Sequence, residues 1–116
     1  MSILNAENVS GTAEAANGDV DKTIIAAQGA GKKIFIQKGI VAVTVAAVGG
    51  SGEVALEDGA GGARIFEADA DAVGFYRFDF GIPGYPLTAN TVLNLTVDGA
   101  VTTQATAMST VTGIVV

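Results

Sequence analysis

The chain alternates apolar and polar residues over short segments, a pattern typical of β-strands that bury one face. The alternation is clearest over residues 74–80 and 91–97. On the apolar sides of these two predicted strands lie Tyr76, Phe78, Phe80, Leu93, Leu95 and Val97. We expect these side chains to form part of one hydrophobic core inside a sandwich of two sheets.

Further β-segments cover most of the chain from residue 20 onward. The predicted strands span residues 22–27, 32–37, 40–48, 53–57, 63–68 and 102–116. Glycine-rich stretches separate them, and the stretch at 58–62 is expected to connect strands 53–57 and 63–68 as a hairpin. The run from 40 to 48 is apolar except for Thr44 and rich in β-branched residues, which favours a strand buried on both sides.

About eight strands without a convincing helix predict an all-β fold. We expect a single-domain, jelly-roll-like β-sandwich over residues 20–116. Residues 1–19 are small and polar, so they are expected to form an irregular N-terminal arm. Two interpretations of this arm remain open. It is either a flexible terminus or a segment that becomes ordered on a neighbouring subunit, with Ile3 and Leu4 as its apolar anchors.

The composition indicates a core of small side chains. The chain has 116 residues, the length of one domain, and 49% of them are apolar while only 6% are aromatic. Alanine and valine must therefore fill much of the core, and each buries little apolar area. Association between copies would add burial that a single copy lacks.

Charge and hydropathy narrow the range of partners. Twelve acidic and six basic residues give a formal net charge of −6, without a clustered basic face. We therefore expect no nucleic-acid binding. No apolar run reaches the length of a membrane span, and the N-terminus lacks the features of a secretory signal, so we expect no membrane association.

The residues needed for most catalytic chemistry are missing from the sequence. The chain has no cysteine and no histidine, which removes thiolate nucleophiles, the commonest general base and many metal ligands. No other catalytic pattern is visible. We therefore expect neither enzyme activity nor a bound cofactor.

Two motifs superficially suggest ligand sites. Residues 29–33, Gly-Ala-Gly-Lys-Lys, lack the first glycine and the Ser or Thr of a phosphate-binding loop, and a β-pattern follows them, so a tight turn is expected. Glu67, Asp69 and Asp71 alternate with alanine, and alternating carboxylates can converge on calcium. They lack the spacing of an EF-hand, so we expect a solvated acidic loop and no metal.

The segment between the two clearest strands carries a candidate contact surface. Ile82, Pro83 and Tyr85 lie in the sequence Gly-Ile-Pro-Gly-Tyr-Pro. Tyrosine suits a contact with a partner because it combines a large apolar ring with a polar hydroxyl. These three residues, with Ile3 and Leu4, are the predicted partner-binding residues.

Several segments resemble small virion proteins of tailed bacteriophages, in particular head-decoration (cement) proteins. The most specific segment is residues 87–97, Leu-Thr-Ala-Asn-Thr-Val-Leu-Asn-Leu-Thr-Val. The others are residues 23–27, 31–34 and 112–116, the Val/Ala-rich run from 40 to 48 and the glycine-rich hairpin. The resemblance implies a jelly-roll-like sandwich on the outer surface of a phage head, commonly a homotrimer, bound to the major capsid protein. The tip at residues 81–85 departs from the pattern, since a more polar loop is expected there.

Two other function classes remain open at this point. One is a structural component of a head fibre or tail. The other is a carbohydrate-binding module that uses Tyr85 and the acidic loop.

Overall fold

In a computed structural model, the chain forms two antiparallel β-sheets that pack face to face. The structure describes residues 6–16, 19, 21–100 and 103–116. The strands within them are β1 (Glu7–Ala15), β2 (Lys22–Ile25), β3 (Ile34–Val45), β4 (Ser51–Asp58), β5 (Ala63–Asp69), β6 (Gly74–Asp79), β7 (Tyr85–Pro86), β8 (Leu93–Ala100) and β9 (Thr106–Val115). Across these ranges there is no helix long and apolar enough to cross a membrane.

The strand order is that of a jelly roll. The five-stranded sheet has the order β1-β9-β3-β6, with the short β7 also paired to β3, and the four-stranded sheet has the order β2-β8-β4-β5. Strands β4 and β5 form a hairpin, whereas the other connections from β1 to β6 pass from one sheet to the other. The predicted all-β, jelly-roll-like sandwich is confirmed, with nine strands in the described residues where about eight were expected.

The core lies between the two sheets, as the alternation predicts. Leu93, Leu95 and Val97 of β8 have no exposed surface, and Phe78 of β6 is 8% exposed. Phe80 was expected in the core, but it is 37% exposed. It follows the last residue of β6 and lies at the rim of the sandwich, which explains its exposure.

The strands predicted at 32–37 and 40–48 are joined in one strand, β3. Its pairing with β9 shifts between Ile36 and Lys38, which marks a β-bulge. The buried aliphatic residues of β3 change from even to odd numbers across this bulge: Ile34, Ile36, Val41 and Val43. One extra residue turns the following side chains to the opposite face, so two segments of different phase fit into one strand.

The prediction that the strand at 40–48 is buried on both faces is correct only for the middle of this segment. Ala42 and Val43 are buried, but Val45 is 49% exposed and Val48 is 57% exposed. Both exposed valines lie at or beyond the end of β3, where the sandwich no longer covers them.

The prediction of an irregular arm over residues 1–19 is wrong for residues 7–15, because these residues form β1. This strand pairs with β9 along its whole length, from Glu7 opposite Val115 to Ala15 opposite Ala107. The inward-facing residues of β1 are small, and they are Val9, Gly11, Ala13 and Ala15. A side chain at Gly11 would collide with the carbonyl oxygen of Ile24 in β2, so small residues allow the two sheets to approach at this edge.

Candidate functional site

Three of the predicted partner-binding residues lie together in the loop from Gly81 to Leu87, which we call the tip. Ile82 is 79% exposed and Tyr85 is 37% exposed, whereas Pro83 is partly buried. The other two predicted residues, Ile3 and Leu4, lie outside the residues that the structure describes. The structure therefore brings Ile82, Pro83 and Tyr85 into one surface.

The tip is fixed to β3 at both of its ends. Before it, the Phe80 N–H donates to the Gln37 carbonyl oxygen at 2.6 Å. In its second half, β7 pairs with β3, and the Leu87 N–H donates to the Ile34 carbonyl oxygen at 2.8 Å. The Leu87 side chain is only 1% exposed, so it anchors the tip in the core.

Local backbone geometry also shapes the tip. Gly84 has φ +109°, and a side chain there would collide with the Ile36 carbonyl oxygen. The Ile82–Pro83 peptide bond is cis. The Gly81 N–H donates to the Asp79 carboxylate at 2.8 Å, which closes the turn that leads out of β6. The exposed apolar residues therefore sit on a turn whose backbone is held by specific contacts.

A row of aromatic rings connects the core with the tip. The ring centroids of Phe66 and Phe78 are 5.1 Å apart, those of Phe78 and Phe80 are 5.3 Å apart, and those of Phe80 and Tyr85 are 5.7 Å apart. All three pairs are tilted, an arrangement that aromatic quadrupoles favour over face-to-face stacking. The position of Tyr85 is thus linked by direct contacts to the interior of the sandwich.

The outer face of the five-stranded sheet carries a shallow apolar depression of about 520 Å³. Its lining residues come from β3, β6 and β9, and they are Lys38, Gly39, Ile40, Arg77, Phe78, Asp79, Thr110 and Thr112. Lys38 lies opposite Asp79 in the sheet, and Ile40 lies opposite Arg77. The side chains of Lys38 and Arg77 make no ion pair with any other residue in the described part of the chain.

The alternation of residues 74–80 already places Arg77 and Asp79 on the outer face of their strand. The depression was not predicted, because the bulge in β3 turns Lys38 and Ile40 to the outer face although they continue the even numbering of the buried Ile34 and Ile36. The register across two strands is not visible in the pattern of either strand alone.

The outer face of the four-stranded sheet carries a charge cluster centred on Arg64. Four carboxylates surround its guanidinium, with N···O distances of 2.6 Å to Glu53, 3.9 Å to Glu57, 3.2 Å to Glu67 and 2.6 Å to Asp98. Burial lowers the pKa of Arg64, but the hydrogen bonds to Glu53 and Glu67, together with the charge and hydrogen bond of Asp98, raise it above the usual value. One cation among four anions leaves this cluster with a formal charge of −3.

The Arg64 cluster joins three strands of the four-stranded sheet, because its residues belong to β4, β5 and β8. The Glu57 side chain is only 7% exposed, and its carboxylate also accepts hydrogen bonds from the Asn94 side-chain amide at 2.9 Å and the Gly61 N–H at 3.2 Å. A buried carboxylate needs such partners. The cluster was not predicted from the sequence, although the predicted hairpin of 53–57 with 63–68 already places Glu57 near Arg64.

The two superficial ligand motifs have structural roles. Residues 29–33 form a turn in which the Lys32 N–H donates to the Gly29 carbonyl oxygen at 3.0 Å, and β3 follows it, as expected. The acidic segment differs from the expected loop, since Glu67 and Asp69 lie in β5. Asp71 accepts a hydrogen bond from the Gly52 N–H at 2.8 Å. The described residues contain no group of three or more acidic side chains suited to holding a metal ion.

Comparisons with known proteins give distant structural likenesses. No family model matches the chain, and no curated protein sequence matches it. Among solved structures, the chain is similar to a subunit of Bacillus endospore appendages, a novel family of disulfide-linked pili, at 9% identity and a TM-score of 0.48, covering 93% of this chain and 87% of that chain.

Two viral structures show a similar, weaker likeness. One is the virus-like particle of the extra small virus of the giant freshwater prawn Macrobrachium rosenbergii. Its chain is 12% identical to this chain with a TM-score of 0.38, and the match covers 97% of this chain and 81% of that chain. Infectious bursal disease virus, Gx strain, gives 16% identity and a TM-score of 0.37, covering 96% of this chain and 32% of that chain. The jelly-roll assignment rests on the strand order of the chain itself.

Proposed function

We propose that this chain is a decoration (cement) protein of a tailed bacteriophage. In this role it binds the outer surface of the head, contacts the major capsid protein and stabilises the shell. The observation that carries the proposal is the tip, an exposed apolar residue, Ile82, on a turn that is fixed to the jelly-roll core. The sequence resemblance supports it, since its most specific segment, residues 87–97, starts at the end of this tip and continues into β8.

A fixed apolar tip suits attachment to a lattice of equivalent sites. Burying an isoleucine side chain in a partner contributes about 1.5–3 kcal/mol. Because the tip backbone is already held by β3 and Leu87, little conformational entropy is lost when it binds. Interface energy is often concentrated in a few such residues, so Ile82 and Tyr85 are the expected centre of the contact.

The proposal includes a homotrimer as the binding unit. Three tips on one assembly engage a shell with a higher effective concentration than one tip does, and weak individual contacts then suffice. Association also supplements a core that consists largely of small aliphatic side chains.

The proposal is tested with heads that lack the protein. Purified protein is added to such heads, which are then pelleted and heated. We expect saturable co-sedimentation and a higher temperature of shell disruption with the protein bound. A correctly folded protein that never pellets with heads, at any protein concentration, contradicts the proposal.

The carbohydrate-binding alternative gains no support from the arrangement of its candidate residues. The Tyr85 ring packs against Phe80, and the Glu67 carboxylate is engaged by Arg64. A head-fibre or tail role uses the same fold and the same tip. It is distinguished by where the protein sits on the particle, since a fibre or tail component pellets with tails and not with isolated heads.

A further inference from the structure

We propose that copies of this chain bind one another side by side through the two edges of the five-stranded sheet. Strand β6 of one copy pairs antiparallel with strand β1 of the next, so the sheet continues from copy to copy. The inference rests on the proposed function for the oligomer that it explains, and it names the contact that forms this oligomer. It is tested without heads, so its failure leaves attachment to the shell as a separate question.

Both edges of this sheet are regular strands. β1 and β6 are the end strands in its order, each pairs with its neighbour without a register shift, and neither contains proline. The end strands of the other sheet differ, because the pairing of β2 with β8 and that of β5 with β4 each contain a shift. Bulges and prolines commonly protect an edge from pairing with another chain, so β1 and β6 lack the usual protection.

The directions of the two edge strands fit a second copy of this chain. β9 pairs antiparallel with β1 and β3, and β3 pairs antiparallel with β6. β1 and β6 therefore run in opposite directions within one copy. When a second copy lies beside the first in the same orientation, its β1 is antiparallel to β6 of the first, and neither strand has to change its conformation.

The outward backbone groups of β6 belong to residues on the outer face of the sheet. The Phe80 N–H donates to the Gln37 carbonyl oxygen, so the even-numbered residues of this strand bond to β3. The N–H and C=O groups of the odd-numbered residues point to the edge, and these residues are Phe75, Arg77 and Asp79. All three side chains are exposed.

The outward backbone groups of β1 have the matching arrangement. Val116 and Lys33 exchange backbone hydrogen bonds of 3.0 and 3.1 Å, so the odd-numbered residues of β9 turn their backbone groups to β1. They lie opposite the odd-numbered residues of β1. The groups at the free edge of β1 therefore belong to its even-numbered residues, which are exposed on the outer face: Asn8, Ser10, Thr12 and Glu14. The two edges can thus bond with their outer faces on the same side.

The charges on the two edges select a register. Arg77 on β6 and Glu14 on β1 are exposed, and neither has an ion-pair partner among residues 6–16, 19, 21–100 and 103–116. When Arg77 of one copy lies opposite Glu14 of the next, Asp79 lies opposite Thr12, so no like charges face each other. Opposite charges on directly paired residues stabilise a sheet, whereas like charges destabilise it.

This contact is heterologous, because each copy offers β6 on one side and β1 on the other. Adjacent strands in a sheet are rotated relative to one another, so each copy is rotated relative to the previous one. Heterologous contacts close into a ring when this rotation fits a whole number of copies. A trimer is one such ring.

Sedimentation velocity of the purified protein over a range of concentrations tests this inference. We expect a discrete oligomer. Arg77→Glu and Glu14→Arg should each weaken association about tenfold or more, because like charges then face each other across the contact. Lys32→Glu is the matched control, since it changes the net charge as Arg77→Glu does but lies outside β1 and β6, and it should leave association intact.

The double variant Glu14→Arg with Arg77→Glu tests whether these two residues face each other. It restores opposite charges in every contact of the ring, so it should associate like the wild type. A wild-type protein that stays monomeric at all concentrations overturns the inference. An oligomer that both single charge changes leave intact does so too, as does a double variant that stays dissociated.

A proline variant tests the backbone part of the contact. The Thr12 N–H points away from β9, so Thr12→Pro should keep the pairing within the copy but remove a donor to β6 of the neighbour. We expect Thr12→Pro to dissociate the oligomer and Thr12→Val to leave it intact, with folding of both checked by circular dichroism. A folded Thr12→Pro protein that associates normally contradicts pairing through this edge. If Thr12→Pro does not fold, the charge variants decide the question.

Discussion

The ring of Phe66 in β5 lies 5.1 Å from the ring of Phe78 in β6, so the end strands of the two sheets touch through their side chains. Phe78 in turn contacts Phe80, which contacts Tyr85 at the tip. The surface proposed to bind the shell is therefore connected to the core by aromatic contacts. Changes in the core at this side should affect the tip as well as stability.

Phe78→Ala is expected to lower the free energy of unfolding by about 3–5 kcal/mol, because it removes a buried ring and leaves a cavity. The residue is 8% exposed, whereas Phe75 on the same strand is 74% exposed. Phe75→Ala is the control and should change stability by no more than about 0.5 kcal/mol. Urea unfolding followed by fluorescence measures both. Equal losses in the two variants would show that the faces of β6 are not as described.

Gly84→Ala should distort the tip. The residue has φ +109°, and an added Cβ meets the Ile36 carbonyl oxygen, so we expect a loss of stability of about 1–3 kcal/mol and weaker binding to heads. Gly81→Ala is the matched control, since its φ is +74° but no atom lies within 4 Å of an added Cβ. It should lose about 1–2 kcal/mol from backbone strain alone. Unchanged head binding by Gly84→Ala would argue against a tip held in one shape.

Arg64→Met should destabilise the protein by about 1–3 kcal/mol, because it leaves four carboxylates, including the buried Glu57, without their cation. The Arg64 side chain is 27% exposed, so solvent moderates the loss. Arg77→Met is the control, since Arg77 has no ion pair within the described ranges. Arg77→Met should lower the free energy of unfolding only slightly.

Added salt separates the electrostatic part of the Arg64 effect from lost packing. Screening weakens repulsion between the remaining carboxylates, so the Arg64→Met variant should regain stability as the NaCl concentration rises. Urea unfolding at low and high salt provides the measurement. A loss that salt does not reduce would assign the role of Arg64 to packing of its aliphatic part.

Ile82→Asp should strongly weaken head binding without changing the fold. Ile82 is 79% exposed, so an aspartate there is tolerated by the isolated protein, but it places a charge in the proposed apolar contact. We expect the dissociation constant for heads to rise about thirtyfold or more, the effect of losing a central interface residue. Val73→Asp, at a residue that is 68% exposed outside the tip, is the control and should bind normally. Equal binding by both variants would remove the tip from the interface.

Local alternation predicted much of the fold. Leu93, Leu95 and Val97 occupy the core because a strand with period two can bury only one of its faces. The same rule failed at β1, whose inward residues are glycine, alanine and valine and give little hydrophobic contrast. β1 needs small residues because it lies close to β2. That closeness arises from tertiary packing, so the local pattern does not reveal it.

The candidate surfaces were predictable only in part. Ile82 and Tyr85 were found because prolines and glycines mark a turn between two strong strands. The depression requires β6 and β9 on the two sides of β3, and the Arg64 cluster requires β8 beside β4. Both relations join segments that are far apart in sequence, so no local pattern reveals them.

The most direct test of the proposed function is the amount and location of this protein in purified phage particles. Heads and tails are separated, and quantitative mass spectrometry compares the protein with the major capsid protein in each fraction. We predict that it occurs in the head fraction in a fixed ratio to the major capsid protein. Absence from the heads, or presence only in the tail fraction, would contradict a role in head decoration.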